Sequence, residues 1–283
     1  MDSSEMLCLP VESFSQHTDV KVSVLPDLDA LYTHIARQMA DTIINNNKQD
    51  KPTSFILPVG PTGQYPIFAD IVNCEGIDCS RVTTFNMDEY LDWQGKTIGE
   101  THPLSFKRTM QDILFSRIDD KLNIPSQQRF FPDISRIEEM DEALDKYGPV
   151  DICYAGVGFH GHVAFNEGIV SRWHKVSRKE FLGARTHLVA LADDTFVINS
   201  VREAGGNYEI IPPFAVTVGM KDIMASRHIE GLFYCGHWQR TVLRRTLFQK
   251  PGVEFPGTFL QNHPSFSISI DAFTAAPPQI KPV

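Results

Sequence analysis

Val150-Asp151-Ile152-Cys153-Tyr154-Ala155 is an apolar run broken by a single aspartate, and it empties into Gly156-Val157-Gly158-Phe159-His160-Gly161-His162-Val163-Ala164-Phe165-Asn166-Glu167. A run that is apolar at nearly every position, rather than at alternate ones, is what a strand covered on both faces requires. The glycines then release the chain into a turn. A buried strand that ends in a glycine-rich turn is the repeating element of a parallel α/β sheet.

The chain on either side repeats the pattern. Upstream, Val20, Val22 and Val24 mark a strand, and Leu28, Leu31, Ile35, Met39 and Ile43 recur at helical spacing behind Pro26-Asp27. Phe55-Ile56-Leu57 gives a second strand, a Gly/Pro-rich turn follows, and a short helix is expected from about Pro66 to Val72. Val82 to Phe85 reads as strand, and Leu104 to Phe115 and Ile134 to Tyr147 read as helices. Downstream, strands are expected at His187 to Leu191, Phe214 to Val218, Gly231 to Cys235 and Phe266 to Ile270, with a helix around Val242, Leu243 and Leu247. The expected fold is α/β: a single doubly wound, mostly parallel, Rossmann-like sheet with helices on both faces. It fills residues 1–283 as one domain, with about 1–18 and 275–283 peripheral. No internal repeat or low-complexity linker divides it.

Composition narrows the function. The chain has 26 Lys+Arg against 35 Asp+Glu over 283 residues, a formal net charge of -9. Such a balance repels polyanions at long range, so a general nucleic-acid partner is not expected, and any bound anion needs a local site. No apolar run approaches the ~20 residues of a membrane span. The start, Met1-Asp2-Ser3-Ser4-Glu5-Met6, lacks the basic and apolar segments of a signal peptide, so a cytoplasmic location is expected. Five scattered cysteines with no C-x-x-C pair point to reduced thiols and against a cysteine zinc site.

In doubly wound sheets a ligand sits beyond the carboxyl ends of the strands, so motifs at strand ends carry the most weight. The first is Pro58-Val59-Gly60-Pro61-Thr62-Gly63-Gln64-Tyr65, read either as a tight turn or as an anion loop at a helix N-terminus. The second, Phe85-Asn86-Met87-Asp88-Glu89-Tyr90, ends a strand in adjacent carboxylates, read as a solvated loop or a helix cap, or as a general base whose neighbour raises its pKa. The third presents His160 and His162 on a glycine turn with Glu167 close behind. Histidine shuttles protons near neutral pH when a carboxylate fixes its tautomer.

Together these residues resemble the glucosamine-6-phosphate deaminase/isomerase family, which shares its fold with 6-phosphogluconolactonases. The resemblance rests on Pro61-Thr62-Gly63, Phe85 through Tyr90, Gly156-Val157-Gly158, Gly161 through Glu167, Thr217-Val218-Gly219-Met220 and His263-Pro264, in the family's order over most of the chain. It implies aldose–ketose isomerisation with ammonia release, with Asp88 taking the C2 proton, His162 exchanging a proton with the ring oxygen, and Glu167 supporting His162. Gly60, Thr62, Gly63, Gln64, Tyr65, Glu89, Gly158, Gly161, Arg202, Gln239 and Arg240 are the expected substrate-binding set. No cofactor or metal is implied, and the partner is a small sugar or sugar phosphate.

Four departures stand out. His160 replaces the family's usual aspartate and so weakens or rebuilds the relay. Gln64-Tyr65 replaces Gly-Thr or Gly-Ser, and the Tyr65 ring is expected to fill phosphate space. The family's lysine falls on Gln239, with Arg240 rotated by about 100° on a helix. Arg202 is displaced by one residue in Asn199-Ser200-Val201-Arg202. A different sugar phosphate, or a sugar or acid without the 6-phosphate, is therefore also expected. The alternatives are a lactonase-type hydrolase, a catalytically degenerate sugar-phosphate-binding protein, and a metal site at His160, His162 and a carboxylate. Trp93, Trp173 and Trp238 read as packing. Arg172, Lys175, Arg178 and Lys179 read as a solvated face, or as a lid or subunit contact in a homo-oligomer.

Overall fold

The computed structural model describes residues 3–279. Among the described residues ten strands are present in chain order: β1 (Lys21–Leu25), β2 (Thr53–Leu57), β3 (Val82–Asn86), β4 (Asp88–Leu91), β5 (Arg129–Phe130), β6 (Ile152–Gly156), β7 (His187–Ala190), β8 (Phe214–Thr217), β9 (His228–Phe233) and β10 (Phe266–Asp271). Seven form one parallel sheet in the order β1-β10-β9-β6-β2-β3-β5. This is the expected mostly parallel, doubly wound sheet.

Side chains alternate along its central strands and so divide the core in two. Phe55, Leu57, Ile152 and Tyr154 face the helices Leu28–Lys48 and Gln64–Glu75, while Ile56, Cys153 and Ala155 face the helices Ile137–Tyr147 and Gln239–Phe248. Leu31, Ile35, Met39 and Ile43, the apolar stripe read from the sequence, are buried against the first layer. Asp27 starts that helix by accepting the Ala30 amide at 2.8 Å.

Two expected strands lie elsewhere. His187 to Leu191 and Phe214 to Val218 supply β7 and β8 of a separate three-stranded sheet, in which β8 pairs antiparallel with both β4 and β7. The segment Asp88–Leu91, read as a strand end, is thus a strand in its own right. The sheets are joined where β3 leaves the main sheet and β4 enters the second: the Met87 amide donates to the Leu57 carbonyl at 3.0 Å, and the Met87 carbonyl accepts the Val218 amide at 2.7 Å. The stretch expected as one helix to Phe115 is helical over Phe106–Met110 and continues as a single π turn, Gln111–Phe115.

The N-terminal segment, expected to be peripheral, is tied to the core. Phe14 is buried edge-on to Phe248, and the fully buried Arg244 donates to the carbonyls of Leu9, Ala275 and Ala276. All five cysteines are free. Among the described residues no helix is long and apolar enough to cross a membrane.

Strand order reverses between β2 and β6. Strands β3 and β5 lie outward from β2, and β9, β10 and β1 lie outward from β6. The carboxyl ends of β2 and β6 therefore diverge into two loops, Pro58–Pro61 and Val157–His162, with a crevice between them, as the switch-point rule requires.

Candidate active site

The crevice is a pocket of about 590 Å³ lined by both loops, by Met87 and Asp88 at the sheet junction, and by Asn199, Arg202 and Glu203 of the helix Asp193–Glu203. Phe106, Phe165, Leu232, Cys235, Trp238 and Gln239 complete the wall.

Asp88 is the first residue of β4, where its backbone pairs with Thr217 while its carboxyl group lines the pocket. It is only 6% exposed and, among the described residues, its carboxylate has no hydrogen-bond or ion-pair partner. Burial, and secondarily the charges of Glu89 and Glu203, push its pKa well above the usual carboxylate range.

His162 is carried by the turn after β6. The Gly158 amide donates to the His162 carbonyl at 2.8 Å and the Gly161 amide to the Gly158 carbonyl at 2.9 Å. Gly158 is required by the ring itself, since a Cβ there would lie 1.8 Å from His162 Nε2. Gly161 adopts φ +88° beneath the Phe255 ring, so a side chain would be both strained and blocked. Asn166 pins the turn to the second sheet, its amide donating to the carbonyls of Val163 and Val218 at 2.9 Å each.

Behind His162 stands Glu167. Its Oε2 lies 3.2 Å from His162 Nδ1 and 2.6 Å from His160 Nε2, and it accepts the Thr195 hydroxyl at 3.3 Å. His160 Nδ1 is 2.9 Å from Asp194. Both His160 contacts lie off the ring's N–H directions, so they are charge contacts rather than aligned hydrogen bonds. Burial penalises the Glu167 carboxylate, but the two histidines outweigh it and hold its pKa below the usual range. Burial likewise disfavours the His160 cation, yet Glu167 and Asp194 prevail and raise its pKa. Glu167 is thus one carboxylate shared by two imidazoles. The donor atoms of His160, His162 and Glu167 also lie within 4.8 Å of one another, so these three residues are the set able to gather a metal ion.

Several expected binding residues sit elsewhere. Tyr65 is fully buried in the core and donates to the Pro58 carbonyl at 2.6 Å, so its ring supports the loop from below and takes no pocket volume. Gln64 turns inward to the Pro61 carbonyl and the Tyr234 hydroxyl. Thr62 and Gly63 flank the loop outside the lining, with Gly63 packed on Tyr32, while Gly60 lines it. Glu89 points away and accepts the amides of Phe106 and Lys107 and the Ser105 hydroxyl, capping the helix Phe106–Met110. Arg240 faces the C-terminal segment, where it donates to the carbonyls of Phe273 and Pro277. Gln239 reaches the lining, but its amide is committed to the Cys235 amide and the Val157 carbonyl.

Arg202, displaced in the sequence, does reach the pocket and is the one Lys or Arg among the described residues that lines it, with its guanidinium 5.7 Å from the Trp238 ring centre. Trp238 therefore belongs to the wall, whereas Trp93 and Trp173 are 76% and 83% exposed. Glu203, Thr195 and Asp194 carry no sequence motif, and Asn199 enters only as the first residue of Asn199-Ser200-Val201-Arg202. All four ride on one helix whose periodicity is unremarkable, and only its docking over the crevice brings them in.

Fold and site together define an α/β class in which a glycine-rich turn brings histidines and carboxylates to the switch point of a doubly wound sheet. No family model matches the chain. A solved structure of a monomeric glucosamine-6-phosphate deaminase aligns with a TM-score of 0.76 at 26% identity, covering 90% of this chain and 99% of that one. A 6-phosphogluconolactonase from Thermotoga maritima aligns at 0.64 with 16% identity, covering 89% and 99%, which is a likeness of fold. In sequence, the glucosamine-6-phosphate deaminase of an Exiguobacterium species is 29% identical over 245 residues, or 85% of this chain and 87% of that protein. The resemblance to the glucosamine-6-phosphate deaminase/isomerase family therefore holds over most of the chain.

Proposed function

We propose that this protein is an amino-sugar-phosphate deaminase/isomerase acting on a glucosamine-6-phosphate-like substrate. The observation that carries the reading is the unpartnered, buried Asp88 carboxylate sharing one pocket with a histidine whose far nitrogen is held by a carboxylate. A carbon acid needs an aimed base, and a ring oxygen needs a separate proton donor.

With Nδ1 engaged by Glu167 and Thr195, the Nε2 of His162 is the nitrogen left to exchange a proton with the substrate. His162 protonates the ring oxygen as the C1–O5 bond breaks and the anomeric hydroxyl loses its proton. Asp88 takes the C2 proton as the C1 carbonyl oxygen gains one, and return of a proton to C1 with loss of one from the nitrogen leaves the C2 imine. Water then displaces ammonia from the C2 imine. The raised Asp88 pKa makes its carboxylate a stronger base than an ordinary aspartate.

Arg202 would meet the anionic end of the substrate beside Gly60, with the Phe159–Trp238 pair at the rim. One lining cation is a spare phosphate site, which supports altered specificity within the class. Glu167 gathers both histidines, which argues against a degenerate binder. The sequence likeness to deaminases favours this reading over the lactonase one. The reading involves no metal or organic cofactor. It treats residues 1–283 as one domain in a cytoplasmic protein with no nucleic-acid partner, and it is compatible with a homo-oligomer. Incubation with glucosamine 6-phosphate should release ammonia and a ketose phosphate in equal amounts. Acid release from a sugar lactone without ammonia would instead establish the hydrolase.

A further inference from the structure

Glu203 is the last residue of the helix Asp193–Glu203 and lines the same pocket as Asp88, 3.2 Å from the hydroxyl of Tyr90, which stands two residues after Asp88 on β4. Three features disfavour a negative charge there. The group is half-buried, Asp88 is close enough that each acts on the same pocket, and a helix C-terminus already concentrates negative charge from its free carbonyls. The protein offers little in return. Among the described residues Glu203 has no ion-pair partner, and its carboxylate accepts one hydrogen bond, from the Tyr90 hydroxyl at 3.2 Å. That hydroxyl accepts the Asn199 amide at 3.0 Å, which fixes its proton toward Glu203. Burial raises the Glu203 pKa although Arg202 acts against it, and Glu203 in turn helps to raise that of Asp88. Independently, Asp88 is more than nine-tenths buried, has no side-chain partner among the described residues, and lines the same pocket.

We propose that Glu203, oriented by Tyr90 and Asn199, forms with Asp88 a subsite for a primary ammonium group, and that it selects substrates carrying the amine at C2. The inference rests on the proposed deaminase reading and deepens it. Two carboxylates on one pocket, neither of them ion-paired among the described residues although Arg202 lies on the same wall, are relieved by a ligand cation, and a sugar ammonium supplies one. The placement suits the chemistry, because the group that holds the C2 nitrogen must neighbour the base that takes the C2 proton. An ammonium at C2 also withdraws electrons from that C–H bond and eases its loss.

The test uses calorimetric binding of two unreactive open-chain alditol 6-phosphates that differ only at C2, one amino and one hydroxyl. Wild type should bind the amino compound about tenfold more tightly or better, the size of a charge-assisted contact. Glu203→Gln should reduce that preference to about threefold or less while leaving the hydroxyl compound's affinity equal or higher. Glu203→Asp, which keeps the charge but withdraws it, should lose part of the preference and serves if the first variant does not fold. An undiminished preference in either folded variant overturns the subsite. Ammonia release by wild type, measured separately, decides the deaminase reading, so the two can fail independently.

Discussion

His160 Nε2 lies 2.6 Å from Glu167 Oε2, the oxygen that also stands 3.2 Å from His162 Nδ1. One carboxylate therefore serves two imidazoles, and the second imidazole makes a further charge contact to Asp194 on the helix that carries Thr195, Asn199, Arg202 and Glu203.

The sign of the His160 contribution follows from linkage. Its pKa is raised in the fold, so its stabilisation is complete below the ordinary value of 6.5 and fades as pH rises through the folded value. The Glu167 pKa is lowered, so its share is present above 4.5 and is lost as acid titrates it. The stability gap between wild type and His160→Gln, measured by urea unfolding, should thus be widest between these two values and shrink on either side.

Gly158→Ala places a methyl group 1.8 Å from His162 Nε2 and must turn the ring. Because small misplacements of a reacting group are costly, kcat should fall by about 100-fold or more. Circular dichroism should show the fold unchanged.

Arg202 and Arg240 provide a matched pair. Arg202→Gln should raise KM for a phosphorylated substrate by about 10- to 100-fold and change kcat far less, as expected for uniform binding. Arg240→Gln should leave KM unchanged and lower the thermal midpoint, because its guanidinium holds the carbonyls of Phe273 and Pro277.

Removal of metals should leave turnover intact. Protein purified without chelator and then dialysed against EDTA should release ammonia at the same rate. A loss restored by zinc would assign the His160, His162 and Glu167 cluster to a metal instead.

The main sheet was legible because parallel strands buried on both faces read as apolar runs, as at Phe55-Ile56-Leu57 and in β6. The second sheet was legible only as its strands β7 and β8 and not as a separate sheet, because β4 opens with Asp88-Glu89 and its burial comes from pairing with a distant strand, β8. The site was legible where glycine geometry and residue type coincide, at Gly158 and His162. Tyr65 was misplaced because sequence gives no facing for the first turn of a helix, and this ring turns into the core. Glu203 left one faint signal, a carboxylate closing a helix whose dipole favours a cation there.

The central assignment is tested most directly by proton exchange at C2 in deuterated water, followed by NMR on glucosamine 6-phosphate. Wild type should incorporate deuterium at a rate tied to ammonia release, and Asp88→Asn, with its fold intact, should show neither. Exchange at the wild-type rate in Asp88→Asn would contradict the account.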